Sequence, residues 1–245
     1  ICEATIQLTK PPEESVVLML GVDNFHAILD VLKTFNSQIN LMAFEFFSQF
    51  ALDKVVEHQG HSAPFDTRAP FYALLEFEAK SGQILDTAME LFEYCVEQGW
   101  VIEGIVSQSE SQAKKLWKLR EDISETLWHY QPYKNDISVR VSRMPDFLKE
   151  VDDLVMQYYL NFEVVWYGHI GDGNLHLNIL KPNELSSEAF TKKCKGVSDK
   201  IGRLVSKYQG SISAEHGVGL LKKDYLHYSK SETEINLMRS VKNIF

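Results

Sequence analysis

Cysteine is scarce in this chain, with three among 245 residues. Cys2, Cys95 and Cys194 are widely spaced and form no C-x-x-C pair. That excludes a disulfide framework and indicates a reducing compartment: the cytoplasm or, in a eukaryote, the mitochondrion. Long apolar runs are also missing, so no membrane span is expected, and no secretory leader is visible. Cations are outnumbered, 25 Lys and Arg against 34 Asp and Glu, for a formal charge of −9. Nucleic acids and anionic membranes select for basic patches, so neither is expected as the main partner. A dinucleotide fingerprint is lacking as well. Gly217-x-Gly219 is followed by Lys222 where a third glycine should stand, and Gly168, Gly171 and Gly173 come in the wrong order and lead into a strand.

What is present is an ordinary globular composition, 44% hydrophobic and 24% charged. It suffices for one substantial domain or two tightly packed lobes. Strand and helix periods alternate. Strands are expected at Ser15 to Leu20, Leu41 to Phe47, Phe71 to Ala79, Val101 to Val106, Tyr133 to Val141, Phe162 to Ile170 and Asn174 to Leu180. Asp23 is expected to cap a helix with Phe25, Ile28, Leu29, Leu32 and Phe35 in one stripe. Further helices are read up to about His58, up to Gly99, from Ser109 to about His129, from Asp146 to Leu160, and along Phe190 to Tyr208. A Ser-Ile-Ser-Ala strand and a last helical stretch follow Gly210. Single helices between strand pairs predict an α+β fold, a largely antiparallel sheet with helices packed on one face.

The chain opens at Ile1 in an alternating, strand-like stretch (Ala4, Ile6, Leu8) and stops at Phe245 within a helical pattern. Both ends are read as cut from something longer.

Three constellations carry candidate chemistry. In His169-Ile-Gly-Asp-Gly-Asn-Leu-His176, a hairpin loop at Gly171 to Asn174 would set the two histidines opposite each other on neighbouring strands. Two imidazoles so placed can bind one metal ion, with Asn178 on the same face as His176. Alone, the spacing also describes ordinary strand histidines beside a glycine turn. In Ser213-Ala-Glu215-His216-Gly217-Val-Gly219, a carboxylate and an imidazole stand side by side in a glycine-rich turn. Glu215 can complete a His2Glu set that leaves coordination positions open, with His216 nearby as a base. A helix-entry turn, with Glu215 at a helix N-terminus, fits that segment equally. Third, Arg120 and Ser124 lie one turn apart in a helical pattern, and Lys134 opens the strand that follows. Arginine takes a carboxylate through two parallel hydrogen bonds and lysine adds a point charge. An arginine paired with a neighbouring acid such as Glu121 is the plainer reading of Arg120.

These features, in this order, resemble the C-terminal domain of the FAD-linked oxidase family. That family of vanillyl-alcohol oxidase type flavoenzymes contains D-lactate and D-2-hydroxyglutarate dehydrogenases. The similarity is densest from Leu116 to Lys223, with Trp166 to Asn178 and Ser213 to Gly219 as its long motifs. The resemblance implies a ferredoxin-like plait serving as the substrate domain, spanning 13–245, with 1–12 as the strand or linker leaving an N-terminal FAD domain. It implies a divalent metal, zinc or manganese, on His169, His176 and Glu215, with His216 as the base. Asn178 would line the substrate pocket, and Arg120, Ser124 and Lys134 would form the anion-binding set of the D-2-hydroxyglutarate branch. Lysine at Lys134 tilts the expected substrate towards a dicarboxylate. That branch often has Thr where Ser124 stands, His where Asn135 stands and Pro where Arg140 stands, which loosens the assignment.

The implied activity is FAD-dependent oxidation of a D-2-hydroxy acid to a 2-oxo acid. Its partners would be the small hydroxy acid, the chain's own FAD domain and an undefined electron acceptor; a homodimer stays open. Two other classes remain: a self-contained His2Glu hydrolase or lyase, and a non-catalytic remnant that binds a partner or a small acid.

Overall fold

Each apolar stripe along the chain forms an element because it finds a sheet face to cover or be covered by. The computed structural model describes residues 3–8, 15–79 and 82–245. The first half runs β1 (Ser15–Val22), α1 (Phe25–Asn36), β2 (Leu41–Ser48), α2 (Gln49–Gln59), β3 (Phe71–Glu78), α3 (Gly82–Glu97) and β4 (Val101–Val106). The second runs α4 (Glu110–Glu121), α5 (Ile123–Leu127), β5 (Tyr133–Ser138), α6 (Met144–Tyr159), β6 (Val164–Gly168), β7 (Asn174–Ile179), α7 (Ser187–Lys207) and α8 (Glu232–Lys242). The strands form one seven-stranded antiparallel sheet of order β4-β1-β3-β2-β6-β7-β5. The first four are ordered as in a ferredoxin-like plait, and β6, β7 and β5 extend the sheet beyond β2.

Strand residues alternate between the two faces. On one face Leu18, Leu20 and Val22 of β1 and Leu175, Leu177 and Ile179 of β7 join apolar residues of α1, α3, α6 and α7 in one core. This is the helix-covered face that the sequence predicts. The other face is covered as well: Val17, Met19, Phe47 and Leu74 pack with Ala51, Leu52 and Val55 of α2 and Ala113, Leu116 and Leu119 of α4. Near-continuous apolar runs in β1 and β3 require cover on both sides, since each exposed Leu or Phe would forgo about 1.5–3 kcal/mol of burial. Among the described residues no helix is long and apolar enough to cross a membrane. Cys95 and Cys194 are buried free thiols, and Cys2 and the expected boundary at 12/13 lie outside the described residues.

Several local expectations are corrected. Asn24, not Asp23, caps α1, its side-chain oxygen accepting from the Ala27 amide at 3.0 Å. The helix expected from Ser109 to about His129 is interrupted at Asp122, whose ψ of −4° departs from helical geometry and whose carboxylate meets His61 at 2.7 Å and Lys118 at 3.4 Å. The Ser-Ile-Ser-Ala strand shrinks to one bridge, Ser138 to Ser211, because Ser211 then bonds back to Ser213 and starts a loop. Residues 3–8 carry no strand; Ile6 and Leu8 are 78% and 88% exposed and cover no face.

The β6–β7 turn differs most from expectation. Tyr167, not His169, stands opposite His176. The His169 carbonyl accepts from the amides of Asp172 at 3.0 Å and Asn174 at 3.2 Å, so the chain leaves the ladder two residues earlier than the sequence suggests. Gly173 closes the turn with φ 74°, where an added Cβ would lie 2.0 Å from the Val139 carbonyl oxygen. Positive φ alone costs an L residue about 1–2 kcal/mol. Gly173→Ala is therefore expected to destabilise the chain by more than ~2 kcal/mol in urea unfolding. An unchanged midpoint would mean that Val139 does not confine this turn.

Candidate active site

Strand parity gathers polar residues on the α2/α4 side of the sheet. Phe44 and Phe46 of β2 enter the first core, so Glu45 faces the other way with Phe47. Tyr167 of β6, His176 and Asn178 of β7, and Lys134 and Asp136 of β5 share that face. The ladder sets Tyr167 opposite His176, His176 opposite Asp136, and Asn178 opposite Lys134. Arg120 from α4 lays its guanidinium over the Tyr167 ring, 4.8 Å from the centroid. The Tyr167 hydroxyl reaches Ser124 of α5 and Asn178.

His169 and His176 meet although the expected pairing does not form. Their rings lie 5.6 Å apart, centroid to centroid, and nearly perpendicular. Each ring is held from behind by a buried carboxylate. His169 Nδ1 lies 2.7 Å from Glu45 Oε1, and His176 Nδ1 lies 3.5 Å from Asp136 Oδ1. With its Nδ1–H donating to Glu45, His169 presents its lone pair at Nε2, whereas the His176–Asp136 contact is an ion-pair distance without a hydrogen bond. Both Nε2 atoms face one oxygen, Glu215 Oε1, at 3.0 and 3.5 Å. One ligand atom from each of His169, His176 and Glu215 lies within 4.8 Å of the others. Three electron-rich atoms converging in this way call for positive charge between them, and two imidazoles with a carboxylate suit a divalent ion. The hydrogen bond to Glu45 raises the His169 pKa, whereas burial lowers that of His176 and favours its neutral form.

The Glu215 loop is tied down from below. Asp136 Oδ2 accepts from the backbone amides of Ala214 at 3.1 Å and Glu215 at 3.2 Å. Asn174 donates to Glu215 Oε1. His216 is 74% exposed, its Nε2 3.8 Å from Glu215 Oε2. Lys134 Nζ donates to Ser124 Oγ at 3.3 Å, and partial burial pushes its pKa down. Arg120 is buried rather than solvated, and its partner is not Glu121: Nη2 lies 2.8 Å from Glu45 Oε2, an ion pair without hydrogen-bond alignment. Arg120 Nε and Asn178 Oδ1 are buried with no hydrogen-bond partner.

A model of the family described as FAD linked oxidases, C-terminal domain, matches residues 11–245. The chain belongs to this family. It is 54% identical over 245 residues to a D-2-hydroxyglutarate dehydrogenase of Stutzerimonas stutzeri (strain A1501), covering 100% of this chain and 53% of that protein. It is 48% identical over 244 residues to a D-2-hydroxyglutarate dehydrogenase of Xanthomonas citri pv. viticola, covering 100% of this chain and 52% of that protein. The chain thus spans about half the length of the curated relatives it matches. In fold it is similar to 4-ethylphenol oxidase from Gulosibacter chungangensis in its isoeugenol complex, with TM-score 0.60 and 13% identity over 98% of this chain and 52% of that one.

Within this FAD-linked oxidase domain, all eight residues singled out from the sequence lie on or beside one sheet face. Sequence reasoning missed Glu45, Asp136 and Tyr167. Glu45 carried a signal: it is the lone charge in the apolar strand Leu-Met-Ala-Phe-Glu-Phe-Phe-Ser. Asp136 sits in Tyr-Lys-Asn-Asp-Ile-Ser, where polar neighbours hide it. Its loss removes two amide bonds to a charged acceptor, so Asp136→Ala is expected to destabilise the domain by about 2–4 kcal/mol. Hydrogen exchange should then speed up at the Ala214 and Glu215 amides; unchanged protection there would remove Asp136 as the anchor of the loop.

Proposed function

We propose that this domain is the substrate and metal half of an FAD-dependent D-2-hydroxy acid dehydrogenase, of the D-2-hydroxyglutarate or D-lactate class. Residues 13–245 form that half, and 1–12 lead from the flavin domain of the longer protein. The observation that carries the reading is the convergence of His169, His176 and Glu215 beside Arg120, Ser124, Lys134 and Asn178 on one sheet face. Family membership and the two bacterial relatives support it, and nothing among the comparisons favours a self-contained hydrolase or lyase. Buried, unpaired Cys95 and Cys194 support a reducing compartment.

In this reading Arg120 and Lys134 hold substrate carboxylate, with the Ser124 hydroxyl between them and the strand. Two separate cations favour a dicarboxylate. Burial lowers the Lys134 pKa, and a carboxylate beside the ammonium would favour its charged form. Asn178, opposite Lys134 on the neighbouring strand, lines the floor beneath the substrate. A divalent zinc or manganese ion on His169, His176 and Glu215 would act as a Lewis acid on the 2-hydroxyl, and FAD bound mainly outside this chain would supply the hydride acceptor. His216 takes the hydroxyl proton from the open side of the site.

Elemental analysis of the purified domain should find near-stoichiometric zinc or manganese, lost in the His169→Ala/His176→Ala double variant. Failure to bind either ion after reloading would overturn the metal reading. In the flavin-containing protein, His216→Ala should lower kcat by about 10²- to 10⁴-fold, the range of a lost general base, while metal content stays near that of the parent. Equal loss of turnover and metal would move His216 from base to ligand.

A further inference from the structure

Glu45 lies in the middle of β2, its side chain only 6% exposed. A carboxylate withdrawn from water persists only where positive partners replace the solvent. Glu45 has two, one on each oxygen. Oε1 accepts from His169 Nδ1 at 2.7 Å, and Oε2 lies 2.8 Å from Arg120 Nη2. Among the described residues, no other acid is in ion-pair reach of Arg120. The same side chain therefore turns the His169 ring so that Nε2 points to Glu215 and holds the guanidinium over the Tyr167 ring.

We propose that Glu45 is a positioning residue that couples the anion grip of Arg120 to the metal ligand His169, so that metal and carboxylate bind cooperatively. The proposal rests on the reading of His169 as a ligand and Arg120 as an anion grip. Its physical basis is geometric and electrostatic. A rotation of Glu45 displaces both partners at once. In the ligand-free site Glu45 divides its charge between the guanidinium and His169. A carboxylate ligand on Arg120 offsets that cation and leaves Glu45 to His169, so either ligand should strengthen the other.

The test is titration of the metal-stripped chain with Mn²⁺, followed by electron paramagnetic resonance, with and without saturating glutarate as the carboxylate probe. The wild type should bind Mn²⁺ and bind it about fivefold or more tightly with glutarate. Glu45→Gln should weaken Mn²⁺ binding by about 10- to 100-fold, the usual effect of losing a partner behind a metal-bound histidine, and abolish the glutarate effect. Because Glu45→Gln strands a buried guanidinium, Glu45→Gln/Arg120→Met serves as the balanced variant, its folding checked by circular dichroism. It should remain weak for Mn²⁺, while Arg120→Met alone stays within a few-fold of wild type and loses the glutarate effect. Wild-type affinity in Glu45→Gln or in the double variant would overturn the hold on His169. A wild type indifferent to glutarate would overturn the coupling. A wild type that binds no Mn²⁺ would instead defeat the metal reading itself, and this proposal with it.

Discussion

Two buried carboxylates, Glu45 and Asp136, set the geometry on which the candidate site depends. Glu45 is lodged in a strand that is apolar on its other side and Asp136 in one that carries Tyr133, Asn135 and Ile137 there, and each is held by groups that replace its lost hydration. Glu45 has Arg120 and His169; Asp136 has two backbone amides, with His176 at 3.5 Å and Lys222 at 4.0 Å. Pairing of this kind adds little net stability, because the gain roughly repays the desolvation. What it gives is direction. An imidazole whose Nδ1 is fixed, as that of His169 is by Glu45, has one place for its Nε2, and the Nε2 atoms of both rings face Glu215.

The sheet makes this possible by outgrowing the plait. In the four-stranded part, α2 and α4 seal the second face with Leu, Val and Ala. Beyond β2, the strands β6, β7 and β5 continue the same face, but the residues presented there are Tyr167, His176, Asn178, Asp136 and Lys134. The break at Asp122 matters here, since it lets α5 start afresh and bring Ser124 towards the Tyr167 hydroxyl. The apolar first face is continuous across both parts, so the polar face needs no stability of its own to stay flat.

Most elements were legible because burial period and element period coincide: β2 and β4 fall almost where Leu41 to Phe47 and Val101 to Val106 predict. The candidate residues were legible because their types are unusual in company, as with Glu215 beside His216 and two glycines. Partnerships across sequence distance were not. Nothing local in Arg120 tells that its counterion is Glu45 rather than Glu121. The β6–β7 register was misread because the deciding bonds, from Asp172 and Asn174 to the His169 carbonyl, are backbone bonds that any residue type can make. His169 still reaches His176, since leaving the ladder early turns its ring back over the strand end, where Glu45 catches it.

The exposure of the site has a direction too. His176 is sealed at 11%, His169 and Glu215 are half open at 36% and 38%, and His216 is open at 74%. Under the proposed reading, the substrate lies with its carboxylate towards Arg120 and Lys134 and with its reacting carbon towards the open end. An acceptor for hydride must then approach from the His216 side, the most exposed of the four positions. A proton acceptor placed at that rim, rather than behind the ligands, keeps the buried charge balance unchanged during turnover. The ions beneath the site then need not rearrange while the chemistry proceeds above them.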